Sequence, residues 1–126
     1  MHRRFAGAPT VALHSPAGPV QIVLAEGFRR RILGLMGLSA EEIEPLLFPR
    51  CRSIHMFGMR TPIDLVWLAL GAKQAQVLEV VESLRPGGHQ RVAAAACRRA
   101  VAALELAPGE AKRLGLQPGA TVELTR

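Results

Sequence analysis

The chain has 126 residues, of which 49% are apolar and 21% charged, and its formal net charge is +6. That suits one domain with a core of its own, and it excludes wholesale disorder. Aromatic residues make up only 4%, so the core must be aliphatic, and no run approaches the ~20 apolar residues that a membrane span needs.

Residues 1–9 read as a loose segment. Their basic start leads into no continuous apolar stretch of ~7–15 residues, so they make a poor secretory leader and none is expected. VALH (11–14) and PVQIVLAE (19–26) flank Ser15-Pro16-Ala17-Gly18, whose proline and glycine supply turn dihedrals, and this predicts a hairpin. In GFRRRILGLMGL, Phe28, Ile32, Leu35 and Met36 recur at helical spacing, with Arg29, Arg30 and Arg31 on the other face. A helix is expected there. Ser39, with Glu42 three positions on, forms a capping box that opens a second, short helix over SAEEIEPLL, limited by Pro45.

TPIDLVWLAL (61–70) is apolar on both alternating faces, which predicts a fully buried central strand. QAQVLEVVESL (74–84) pairs with it across Gly71-Ala72-Lys73, and RPGG (85–88) is a loop. Residues 91–103 stay open between helix, strand and loop: their alanines favour helix, while the closing VAALEL reads as a strand. APGEAKRLGL is a short helix that Gly115 stops, and ATVELT is a last strand. The sum predicts an α+β domain over residues 10–126. Its sheet is small, antiparallel and strongly curved, or a partly closed barrel, with two or three short helices.

The motifs resemble the family known as domain of unknown function 192, found in bacteria, archaea and plants. The early arginine-led Gly-Leu-Met signature is matched by Arg31-Ile32-Leu33-Gly34-Leu35-Met36, and the Met-Leu-Phe run by Leu46-Leu47-Phe48. The central signature, Trp-Met-Lys-Asn-Thr followed by Ile-Pro-Leu-Asp, is matched by Met56, Pro62, Ile63 and Asp64, with His55 in the tryptophan position. Leu104-Glu105, Gly109, Gly115 and Gly119 continue the pattern. Phe57-Gly58-Met59 replaces the polar Lys-Asn-Thr, and Ala120 stands where an aspartate is common. The resemblance implies a compact β-rich domain and brings with it no reaction, cofactor or ligand.

Candidate chemistry gathers between Cys51 and Asp64. Cys51, His55 and Met59 form a soft ligand set, but an extended backbone would spread four residues over ~13 Å. Ligands lie within ~2.3 Å of their ion, so no metal site and no cofactor is expected. His55 and Asp64 are the candidate catalytic residues, as an acid–base pair. Asp64 is the only aspartate in the chain and opens a strand of apolar residues. Buried there, it must accept backbone N–H groups or pair with an arginine, Arg60 being the nearest in sequence. Arg31, Arg60 and Glu105 are the candidate ligand-binding residues.

The basic residues are scattered, and no aromatic-rich strand offers a base-stacking platform. LGLQPGATVEL is similar to hairpins of swapped-hairpin transcription regulators, yet nucleic acid is a weak third reading. Cys51 and Cys97 are expected to stay unpaired in the cytoplasm, and no membrane partner is expected. The favoured function is a non-enzymatic binding or accessory module for a small anionic ligand or peptide. The alternative is a small enzyme with its site around His55, Arg60 and Asp64.

Overall fold

The computed structural model describes residues 3–26, 34–93 and 100–126. The strands among them are β1 (Thr10–Ser15), β2 (Gly18–Leu24), β3 (Leu46–Phe48), β4 (Ser53–His55), β5 (Ile63–Leu70), β6 (Gln74–Leu84), β7 (His89–Arg91), β8 (Val101–Leu106) and β9 (Thr121–Thr125). A one-turn helix, α1 (Glu110–Arg113), precedes β9, and short 3-10 turns lie at Arg3–Phe5 and Ala40–Glu42.

Seven strands close a barrel in the order β1-β2-β3-β8-β5-β6-β9, with β9 pairing back onto β1. Barrel neighbours run antiparallel except β2 and β3. β4 and β7 form a separate antiparallel ribbon. The expected α+β class is therefore corrected. The domain is mostly β, and α1 is the one α-helix among the described residues.

The second expected helix shows why. Its capping box forms: Glu42 Oε1 accepts from both the backbone N–H and the hydroxyl of Ser39, each at 2.9 Å. It supports only a single 3-10 turn, because Leu46, Leu47 and Phe48 bury themselves as β3 against β8. Pairing of a buried apolar triplet overrides local propensity. The expected helix at 27–38 falls outside the described residues up to position 33, and Gly34–Gly37 is a turn.

Strand alternation sorts the apolar residues into two cores. Leu13, Ile22, Leu47, Val66, Val77, Leu104 and Val122, one from each barrel strand, fill the barrel interior. Phe48, Leu65, Trp67 and Ala103 point the other way and are roofed by Phe5, Leu35, Leu38, Ile54, Met56 and Val92. β5 thus has no wet face, which is why it reads as continuously apolar. The roof includes the segment expected to be loose: Phe5 is only 1% exposed.

Ala111, Leu114 and Leu116 extend the interior core, so α1 and the turn after it plug one end of the barrel. No helix among the described residues is long and apolar enough to cross a membrane.

Candidate functional site

Asp64, the second residue of β5, has its side chain on the barrel-interior face and is completely buried. Oδ1 accepts the Ser83 N–H at 3.0 Å; Oδ2 accepts the N–H groups of Gly109 at 2.9 Å and Ala111 at 3.1 Å. The last two belong to the start of α1, where N–H groups have no partner within the helix. Ser83 lies in a β-bulge, since the register steps from Ile63↔Leu84 to Leu65↔Val81 and leaves two β6 residues opposite Asp64 alone. The carboxylate therefore satisfies three backbone donors that the sheet and helix leave over.

Glu105 takes the opposite face of its strand. It alternates with Leu104 and Leu106 and so shares the roofed outer face with Val101 and Ala103. Across it lie Leu46 on β3 and Leu65 on β5. Only 5% of Glu105 is exposed. Among the described residues no hydrogen bond or ion pair to its carboxyl group is found. Burial alone pushes its pKa up from 4.5 to about 7, because a charged carboxylate loses its hydration in an apolar setting.

Glu105 lines a cavity of about 210 Å³ between the barrel and its roof. Leu35, Met36, Phe48, Ile54, Met56, Phe57 and Met59 line it together with Cys51, Ser53 and His55, so that its wall is mixed, about as polar as apolar. The roof is tied down at several points. Arg4 Nη1 donates to the carbonyls of Gly34 and Met36 at 3.1 and 2.7 Å, and Gly37 N donates to Gly58 O at 2.9 Å. Met56 N donates to Gly88 O at 2.8 Å, which joins the same wall to the loop before β7. Cys51 Sγ donates to Ser53 O at 3.3 Å.

The predicted site residues are therefore dispersed. His55 and Glu105 share the cavity, whereas Asp64 and Arg60 do not line it. Arg60 is exposed and its guanidinium donates to Gly37 O at 3.4 Å. Arg31 and Cys97 lie outside the described residues. The extended backbone expected over 51–59 is corrected: only Ser53–His55 is strand, the chain turns at Phe57-Gly58, and Cys51, His55 and Met59 line one cavity. No group of three or more His, Cys, Asp or Glu among the described residues is placed to hold a metal ion. Arg4 and Phe57 are parts of the site that sequence reasoning missed. Nothing in local periodicity marks a residue whose partner is thirty positions away.

A second cavity, of about 270 Å³, lies at the barrel end opposite α1. Val11, Leu24, Leu47, Leu70 and Leu124 line it, with exposed Glu26 and Arg126 at its edge and no buried ionisable group.

The sequence profile of DUF192, described as "Uncharacterized ACR", matches residues 11–124. The chain belongs to the DUF192 family. No curated protein matches it. Two solved structures are similar to this DUF192 domain. One is a protein of unknown function from Novosphingobium aromaticivorans DSM 12444, with a TM-score of 0.68 and 22% identity, covering 94% of this chain and 85% of that one. The other is from Sinorhizobium meliloti 1021 and is described as a "putative transcription regulator", with a TM-score of 0.66 and 24% identity over 91% of this chain and 90% of that one. At such identities the likeness is one of fold.

Proposed function

We propose that this DUF192 domain binds a small molecule in the cavity over Glu105, and that the ligand joins an apolar body to a hydrogen-bond donor or a cationic head. One observation carries this reading: Glu105 is a buried carboxyl group with no partner among the described residues, facing a cavity. An unpaired buried carboxylate is costly, and a donor on the ligand offsets that cost. A concave pocket where polar groups converge among apolar side chains, one of them strongly perturbed, is a usual form of a ligand site. The same carboxylate repels an anion, so the anionic ligand that the basic composition suggests has less support than a donor or cation. A thiol on the wall, Cys51, suits a reducing compartment such as the cytoplasm.

A second reading, proton-transfer catalysis, is favoured by a carboxyl group whose pKa burial raises to about 7, in a cavity that His55 and Cys51 also line. Nucleic-acid binding is permitted by the net charge of +6 and suggested by the description of the Sinorhizobium protein. It lacks a stacking platform: Phe57, 77% exposed, is the one large apolar side chain standing free on the described surface.

Ligand-observed NMR against apolar amines, alcohols and carboxylates of matched size tests the proposal. Amines or alcohols should bind, carboxylates should not, and Glu105→Gln should weaken binding at least ~10-fold while the fold is retained. No binder in the set, preference for carboxylates, or unchanged affinity in Glu105→Gln would overturn it.

A further inference from the structure

His55 on β4 and His89 on β7 stand directly opposite each other. Met56 N donates to Gly88 O at 2.8 Å and Val92 N donates to Arg52 O at 3.0 Å. Those bonds flank His55↔His89 and Ser53↔Arg91 respectively, so both are non-hydrogen-bonded pairs. In such pairs the Cα atoms approach to ~4.5 Å and the side chains stand close together on one face. Ile54 points the other way, into the roofed core, which leaves both imidazoles on the outer face, where they are exposed. Neither ring has a hydrogen-bond or ion-pair partner among the described residues.

We infer that His55 and His89 chelate one first-row transition-metal dication of the zinc, nickel or copper(II) class. Each neutral imidazole offers one nitrogen lone pair. Metal–nitrogen bonds of ~2.0–2.1 Å put two such nitrogens ~3–4 Å apart on one ion. Side chains rooted ~4.5–5.5 Å apart reach that separation by rotation alone, without moving the strands. Imidazole ligands suit zinc, nickel and copper, and the ion preferred among them is set by the usual order of affinities. Arg91, two positions from His89 on the same face, opposes a dication and keeps the affinity moderate. Ser53 lies on that face as well. Two protein ligands leave coordination positions open. The chelate does not depend on what the cavity holds.

Full-length protein without an affinity tag, stripped with a chelator, is titrated with Zn2+ and Ni2+ by calorimetry. One equivalent per chain should bind at micromolar concentration, and the ring signals of His55 and His89 should shift together in long-range 1H–15N spectra with Zn2+. His55→Ala and His89→Ala should each weaken binding at least ~10-fold, and the double variant little further. His55→Gln and His89→Gln serve where an alanine variant fails to fold. His14→Ala should have no effect, its ring being engaged with Thr125 Oγ1 at 2.8 Å, and Cys51→Ser should have none. Affinity no better than that of a lone surface histidine overturns the inference. So does binding that survives either ring's removal, or a loss that follows Cys51, His14 or His2.

Discussion

The Asp64 carboxylate accepts a hydrogen bond from the backbone N–H of Ala111, 47 positions further along the chain, at 3.1 Å. With the bonds from Gly109 and Ser83 it joins the plug helix, the first residues of the central strand and the bulge in β6. Asp64→Ala strands all three donors. Asp64→Asn keeps one acceptor oxygen but turns an NH2 group on a backbone N–H. The expected order of stability is wild type, then Asn, then Ala, with Asn costing about 1–3 kcal/mol and Ala more. Denaturant midpoints of the two variants decide it, and two midpoints equal to wild type would release Asp64 from any structural duty.

Ser83 adopts φ +51°, a left-handed conformation that costs a residue with a Cβ roughly 1–2 kcal/mol. The bulge imposes it, and it turns the Ser83 N–H toward Asp64. Ser83→Gly relieves the strain and gives back ~0.5–1 kcal/mol through the freer unfolded chain, so it should leave stability unchanged or raised by up to ~1 kcal/mol. Ser83→Val should destabilise. Thermal unfolding of the pair shows whether the sign depends on the Cβ. A valine variant as stable as the glycine one would remove the bulge strain from the account.

How far the sequence spoke depended on how local each feature was. The β6 strand coincides with the expected 74–84, because a hairpin is fixed by its own turn and neighbouring alternation. Closure of the barrel was not legible. It rests on β9 pairing with both β1 and β6 and on the parallel β2–β3 contact, which join segments distant in sequence whose composition names no partner. Asp64 was readable as a buried acceptor because it is a lone charge at the edge of an apolar run. Glu105 was readable as a strand residue and a ligand-binding candidate, but the face of β8 that it takes was not. β8 is buried on both faces, so period-two patterning gives it no inside and outside. His89 sits in a strand of three residues, too short to show a period, and only the register with β4 brings it to His55.

Gly58 holds the cavity roof in place through what it lacks. Its φ is +78°, and a Cβ there would lie 2.5 Å from Met36 Cγ and 2.8 Å from Met36 Sδ. Gly58→Ala should cost about 1–2 kcal/mol from the backbone conformation and push the Met36 thioether aside, changing the cavity wall. Combining it with Met36→Ala should remove the steric part and leave the conformational part. The double-mutant cycle should therefore show coupling above ~0.5 kcal/mol. Strict additivity in denaturant unfolding would mean that the two side chains do not meet.

Glu105 gives the domain a pH dependence of unusual sign. Its folded-state pKa, raised to about 7 from 4.5 by burial, means that the native state holds a proton that the unfolded chain has released between those values. Stability linked to this group is therefore fully present below about pH 4.5 and is lost as pH rises through about 7. The loss is on the order of 3 kcal/mol, at about 1.4 kcal/mol per pH unit. Other carboxylates titrate in the same range, so the informative quantity is the difference between wild type and Glu105→Gln. Glutamine keeps the size and carries no charge. The variant should gain on wild type steadily from about pH 4.5 to 7 and stay ahead by a constant margin above that. Denaturant unfolding at half-unit pH steps measures the difference. A gap that does not change with pH would show that Glu105 titrates as an ordinary exposed carboxyl, and the donor expected of its ligand would lose its reason.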